Sequence, residues 1–453
     1  MRRLSAWAGL VLIGCAPKAG PGPAGAESLS GFWLTDGYGR MIEIIADTAV
    51  QISEVTAISC LPAFRARAVP PPPGARAAFL RVDAPSTFVI LPDSAPDQLR
   101  IHFNGAASDV IAKRIVGPLD VCRRPAPSTP TAVFEVFATT WKEHYPFFAL
   151  KGMDWDRVVA EHRAKVSDSM APAALFAQLT SLIEPLNDPH TSIRADSLDL
   201  RFGGNRPPAT REEWDRAPRY FAITEKYLDA PIRKFCEGQV EFGTIGDVGF
   251  LRIRSFDGYH QDEPFESGLV ALEAALDTIF AGASAWRGMI IDVRFNGGGA
   301  DPYGLAIAAR LTGSEYVAYA KQARNDRADP NRWTPEQISR VVPTDRPGFR
   351  GPVVELIGLY SVSAAETFTQ ALINRAPKVV RVGENTQGVF SDVMGRRLPN
   401  GWRFGLPNER FVTNGVSYDG PGIPPDVMVP VFPARDRTDG KDRSLERALT
   451  LVK

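Results

Sequence analysis

From about residue 245 onward, short apolar runs alternate with stretches whose apolar residues recur three and four apart. No other feature of the chain restricts its fold as much. "GFLRI" reads as a strand, Leu269, Leu272, Leu276, Ile279 and Phe280 mark a helix, and "GMIIDV", "PVVELIGLY" and "KVVRVG" follow as further strands. The pattern predicts an α/β core over residues 245–435. No fixed short period recurs, so a solenoid is excluded.

Upstream, the text changes twice. Between "SGFWLTDGYGRMIEII" and "VIAKRIVGPLDVC" short β-branched runs are separated by Gly, Pro, Asp and Asn, which predicts a small antiparallel β domain over 29–125. "TAVFEVFATTWKEHYPFF", "DWDRVVAEHRAKV" and "APAALFAQLTSLIEPL" then carry helical periodicity, which predicts a helical subdomain over 126–200. His144 and His162 fall within it and are assigned no chemistry. A Pro- and Arg-rich connecting segment spans 201–244, and 436–453 is a C-terminal segment.

The first residues read as an export signal: Arg2 and Arg3, then an apolar stretch from Leu4 to Gly14 too short to span a bilayer. It ends in "LIGC", which resembles a bacterial lipobox and predicts a signal peptide over 1–14 with lipid on Cys15. Residues 15–28, rich in Pro, Gly and Ala, form a tether. Ala16 after the cysteine favours the outer membrane, facing the periplasm. No later run is apolar enough to cross a membrane, so the lipid would be the only anchor. Lys plus Arg and Asp plus Glu both number 52, which argues against a nucleic-acid partner. Export allows disulfides. Three pairings are open among Cys60, Cys122 and Cys236. Cys60 with Cys122 is the one expected, because they bracket one segment, and Cys236 is left as a buried free thiol.

Ser363 follows "VVELIGLY" and opens the helix "AAETFTQALINRA". With Glu366 it spells a capping box, the plain structural reading. A serine at a strand-to-helix junction also has free backbone amides beside it, able to receive an oxyanion. "DVRFNGGGAD" ends another strand in a turn with Gly297, Gly298 and Gly299, and lacks both a Walker lysine and dinucleotide-motif spacing. His190, in "LNDPHTSI", stands in a polar loop where the helical region ends and can face the cleft between subdomains.

Across roughly residues 130–430 these motifs resemble the C-terminal processing, or tail-specific, serine peptidases, in the branch similar to the tricorn protease core and the interphotoreceptor retinoid-binding repeats. The resemblance implies a crotonase-like α/β core with the helical region as its lid. It makes Ser363 the nucleophile and His190 the base. The Ala364 amide becomes one half of the oxyanion hole and Gly297 or Gly298 the other. Asp419, in "SYDGPGIPPDV", becomes the carboxylate that orients the histidine. Two positions depart from the family's pattern: the carboxylate is usually glutamate, and Pro189 stands where tricorn-like sites carry serine, with Thr191 the nearest hydroxyl in sequence. Where the family's other branch has a catalytic lysine, this chain has Val389, and residues 195–245 lack a PDZ-type carboxylate-binding loop. The implied activity is hydrolysis of peptides or unfolded proteins through an acyl-enzyme, with no metal and no cofactor; the oligomeric state is left open. Two rivals stand beside it. One is a non-catalytic binding protein that keeps the peptidase fold. The other is a crotonase-type acyl-thioester enzyme, which would leave the serine and histidine motifs without a purpose.

Overall fold

The computed structural model describes residues 28–93, 95–261 and 265–452. The expected signal peptide, Cys15 and the tether up to residue 27 lie outside the described residues. No described helix is long and apolar enough to cross a membrane.

The segment read as a β domain closes into a barrel of eight antiparallel strands, from Gly31–Thr35 to Val110–Ile115. Each strand pairs with its sequence neighbours, and the first closes on the last through Phe32 opposite Ile115. Closure removes both sheet edges. Alternate residues point inward: in Thr87–Leu91, Phe88 and Ile90 are buried, and they pack with Trp33, Ile52, Phe79 and Ile101. A disulfide joins Cys60, at the start of the fourth strand, to Cys122 in the turn after the eighth, with Cα atoms 4.9 Å apart. Cys236 is free and half-buried, and burial pushes its thiol up to about 12.

Three helices follow: Pro130–His144, Trp155–Arg163 and Pro172–Ile183. Thr129 caps the first by accepting from the Ala132 amide, and Asp154 caps the second through the Arg157 amide. Their apolar faces (Phe137, Trp141, Leu179, Leu182) bury against Phe404, Leu406 and Met394. Those three residues come from more than 200 positions later. They belong to a four-stranded sheet in which Ser192–Ala195 pairs with Arg403–Pro407, so the helical region is stitched to the core rather than standing apart.

The core is a seven-stranded mixed sheet. Its centre is parallel: Val248–Ile253, Gly288–Asp292, Val353–Ile357 and Val380–Gly383 lie side by side. Period-two alternation sends Leu251, Met289, Ile291 and Val353 to one face, under the helices Phe265–Phe280, Asp301–Ala309 and Ala364–Ala371. Phe250, Ile290, Val354 and Leu356 go to the other, where Leu445, Ala448 and Val452 cover them. The C-terminal segment thus contains a helix, Arg443–Leu451, that supplies the sheet's second cover.

Candidate active site

Ser363 occupies the elbow between the sheet and the helix Ala364–Ala371 with φ 58° and ψ −121°. A left-handed serine costs on the order of 1–3 kcal/mol and persists only where its surroundings impose it. Here they do. The Ser363 amide donates to the Val389 carbonyl at 3.0 Å and to Glu366 Oε2 at 3.3 Å. Glu366 is fully buried and also accepts from the Gly388 amide at 2.5 Å and the Val389 amide at 2.8 Å, so one carboxylate clamps loop 388–389 to the elbow. Burial nevertheless raises its pKa to about 7. The reciprocal positions of a capping box are filled, yet the Glu366 amide donates to the Ser363 main-chain carbonyl at 2.7 Å and the hydroxyl makes no cap hydrogen bond. The elbow therefore leaves the Ser363 oxygen uncommitted.

The glycine turn packs directly against it. Gly298 has φ +93°, and a Cβ there would lie 2.6 Å from Ser363 Cβ and 2.9 Å from the Ala364 nitrogen. Only glycine permits this approach. The Gly298 amide, one of the two expected oxyanion donors, instead donates to Asn296 Oδ1 at 2.9 Å, while Asn296 Nδ2 holds the Ile253 carbonyl at 3.0 Å. This corrects the expectation for Gly298: its contribution is closeness, because the asparagine side chain folds back onto its amide. Ala364 opens its helix, so its amide has no acceptor within that helix. A cavity of about 510 Å³ opens beside Gly297, walled by Trp214, Phe221, Phe295 and Arg254.

His190 lies in the turn before Ser192–Ala195, its amide donating to Asp188 Oδ1 at 3.0 Å. Its Nδ1 is buried without a hydrogen-bond partner among the described residues. Burial holds the imidazole below its usual pKa, opposed by the Asp188 and Asp392 charges and by the Ser391 backbone. Asp419 is buried at 7% exposure; its Oδ2 accepts from Ser417 Oγ at 2.7 Å, and among the described residues its Oδ1 has no hydrogen-bond partner. Burial pushes Asp419 up to about 7, and the Asp188 charge adds to the rise. Asp188 thus acts on both groups, but among the described residues no hydrogen bond joins Asp419 to His190 or His190 to Ser363. The orienting bond implied by the resemblance is not made: a side chain one methylene shorter than glutamate is tied back by Ser417 of its own turn. Thr191 does not replace it, since its hydroxyl donates to the Asp188 carbonyl at 2.8 Å.

Sequence reasoning missed several parts of this arrangement. Glu366 was legible only as a cap. Asp188, two residues before His190, carried a visible signal in its spacing. Asp392 and Lys321 carried none: Lys321 is buried on the strand Tyr316–Ala323 and pairs with Asp392 at 2.5 Å and Glu409 at 3.2 Å, across 71 and 88 residues.

A half-buried serine on a strand-to-helix elbow, with the first amides of the helix beside it and a histidine in the loop ahead of the neighbouring four-stranded sheet, has the parts of a serine hydrolase. Residues 247–429 match peptidase family S41, so the chain carries an S41 peptidase domain and is a serine-type peptidase. Among solved structures, a candidate peptidase from Parabacteroides merdae is 26% identical, with a TM-score of 0.60, covering 72% of this chain and 97% of its own. Mature CPAF in complex with lactacystin shares the fold at 14% identity and a TM-score of 0.53, over 72% of this chain and 97% of its own. The photosystem II D1 C-terminal processing protease superposes more loosely, at 15% identity and a TM-score of 0.42, over 68% and 95%. None of the curated proteins matches the chain.

Proposed function

We propose that this peptidase cleaves peptides or unfolded proteins through an acyl-enzyme on Ser363, on a crotonase-like core with the helical region as its lid. Ser363 Oγ attacks the scissile carbonyl and His190 takes its proton. The oxyanion that forms is received by the amides of Ala364 and Gly297, since Gly298 has spent its own. His190 then protonates the leaving amine, and the cycle repeats with water as nucleophile to release the acid. A lowered pKa suits this role, because it keeps the imidazole neutral and able to accept at neutral pH. Asp419 is the orienting carboxylate, and its bond to His190 Nδ1 forms when substrate closes the site; Asp419 Oδ1 and His190 Nδ1 are both buried and unpartnered among the described residues. The observation that carries the reading is the strained Ser363 elbow with Gly298 pressed against it, a conformation that a helix cap does not require. Fluorophosphonate labelling together with casein hydrolysis tests it: labelling that is lost in Ser363→Ala supports the assignment, and absence of both activities in folded wild type removes it.

The same reading places the protein in a bacterial envelope, exported and held by lipid on Cys15. Its motive is "LIGC" behind an Arg-led apolar stretch. Fatty-acid probe labelling that persists in Cys15→Ala would overturn it. The unmade Asp419–His190 bond favours the second reading, a binding protein that keeps the fold, and the labelling experiment decides between them.

A further inference from the structure

The connecting segment runs past each loop of the site. The Gly204 amide donates to the Thr191 carbonyl at 2.8 Å, next to His190, and a Cβ at Gly204 would lie 2.0 Å from the Asp188 carbonyl oxygen. Arg206 reaches the carbonyls of Gly388 and Gly420, neighbours of Val389 and of Asp419. The Thr210 amide donates to Tyr360 Oη at 3.1 Å. The short helix Arg211–Asp215 then lays the Trp214 ring on the glycine turn, where a Cβ at Gly297 would meet it at 3.2 Å. All of 204–221 precedes residues 247–429, so this crossing lies outside the matched family domain.

Where it meets the glycine turn, the crossing closes one side of the cavity of about 510 Å³: Trp214 and Phe221 come from it, Phe295 and Gly297 from the core. The rings are chained together. Trp214 lies 5.9 Å from Tyr360, Tyr360 is stacked on Phe295 at 5.4 Å, and Phe295 stands edge-on to Phe221 at 6.1 Å. The charged lining groups are engaged or exposed: Asp215 holds Arg211 at 3.1 Å, Arg254 lies 5.4 Å from the Phe221 ring centre and 3.9 Å from Glu241, and Asp257 is exposed. We propose that this cavity receives an aromatic side chain from the substrate residue whose carbonyl is attacked, with Trp214 as the specificity-determining wall. The Gly297 amide receives that carbonyl's oxygen and Gly297 itself lines the cavity, so the side chain on the adjoining Cα falls within reach. Aromatic rings favour neighbouring rings about 4.5–7 Å away, offset or edge-on, which selects a ring over an aliphatic chain. This rests on the peptidase reading and names its substrate class.

The experiment uses the full-length protein and peptidyl aryl phosphonates of one sequence that differ only in the residue carried on phosphorus: Phe, Leu, Ala, Lys or Glu. The readout is the second-order rate of Ser363 modification, followed by mass. The Phe compound is expected to react roughly a hundredfold faster than the Ala compound, with Leu between them and Lys and Glu no faster than Ala. Trp214→Ala should bring the Phe-to-Ala ratio to within a fewfold, and Trp214→Phe should keep most of it. That ratio is internal to each sample, so partial unfolding of a variant does not change it. The proposal is overturned if the Leu, Ala, Lys or Glu compound reacts as fast as the Phe compound, or if the ratio survives in Trp214→Ala. A plain fluorophosphonate carries no side chain for the cavity and reports on Ser363 by itself. Its failure removes the peptidase reading, whereas lost discrimination with labelling intact removes the pocket alone.

Discussion

Replacing Gly298 by alanine separates an elbow built for chemistry from a plain turn. The added Cβ would stand 2.6 Å from Ser363 Cβ, 2.8 Å from the Val362 carbonyl oxygen and 2.9 Å from the Ala364 nitrogen. Carbon atoms rest at about 3.6 Å, so Ser363 must withdraw by roughly 1 Å, and two of the three contacts are backbone, which yields least. Such overpacking typically costs about 1–3 kcal/mol, and the φ of +93° adds about 1–2 kcal/mol for any residue with a Cβ. A displacement of about 1 Å at the reacting atom lowers the rate on the order of a hundredfold. Gly297 is the control: a Cβ there meets only the Trp214 ring, at 3.2 and 3.5 Å, and its φ is not in the left-handed range. Gly297→Ala should stay within about 1 kcal/mol of wild type and label within a fewfold of its rate. The assay is the second-order rate of fluorophosphonate labelling, with urea unfolding on the same samples. The reasoning fails if Gly298→Ala labels as fast as wild type, or if the two alanine variants are equally impaired.

Ser363→Ala should lose about six decades of turnover while costing at most about 1 kcal/mol in urea unfolding, because the hydroxyl makes no cap bond. Asp419→Asn should lose about four decades of kcat/KM, whereas Asp419→Glu, one methylene longer, should retain or raise labelling by reaching His190 Nδ1. Asp419 also has a pH signature. Its folded pKa of about 7 exceeds its unfolded value, so the stability it contributes is complete below about pH 4 and lost as pH rises through 7. Asp419→Asn should therefore gain on wild type by up to a few kcal/mol in urea midpoints between pH 4 and 8, and parallel curves would refute the burial argument. Replacing Cys60 and Cys122 by alanine opens a 62-residue loop and should cost roughly 2–4 kcal/mol, read as an earlier barrel transition; free thiols at both positions in oxidised protein would refute the pairing.

How much was readable follows from the range of each signal. Strand, elbow and helix around Ser363 lie within 19 consecutive residues, so hydrophobic period and junction chemistry announce them. The barrel's strands were legible for the same reason, as alternation within five or six residues. Its closure was not, because Phe32 meets Ile115 only when six other strands have set tilt and register. The capping box showed that Glu366 faces the serine, but not that the same carboxylate holds Gly388 and Val389, since those amides arrive from 22 and 23 residues away.

The sequence by itself determined the order of β, helical and α/β regions, the serine on its elbow, the glycine turn and the histidine loop. Each of these is written in local period and in residues with special backbone freedom. The tertiary structure alone decided that Gly298 spends its amide on Asn296, that Ser417 draws Asp419 back from His190, and that Lys321 gathers Asp392 and Glu409. It also decided that Arg40 and Arg81 of the barrel share a cavity with Lys321, Asp392 and Glu409 of the core. Those hydrogen bonds and ion pairs are 2.5–3.2 Å long and join groups up to 88 residues apart. Competition among buried polar groups for partners sets such distances, and no local pattern encodes it.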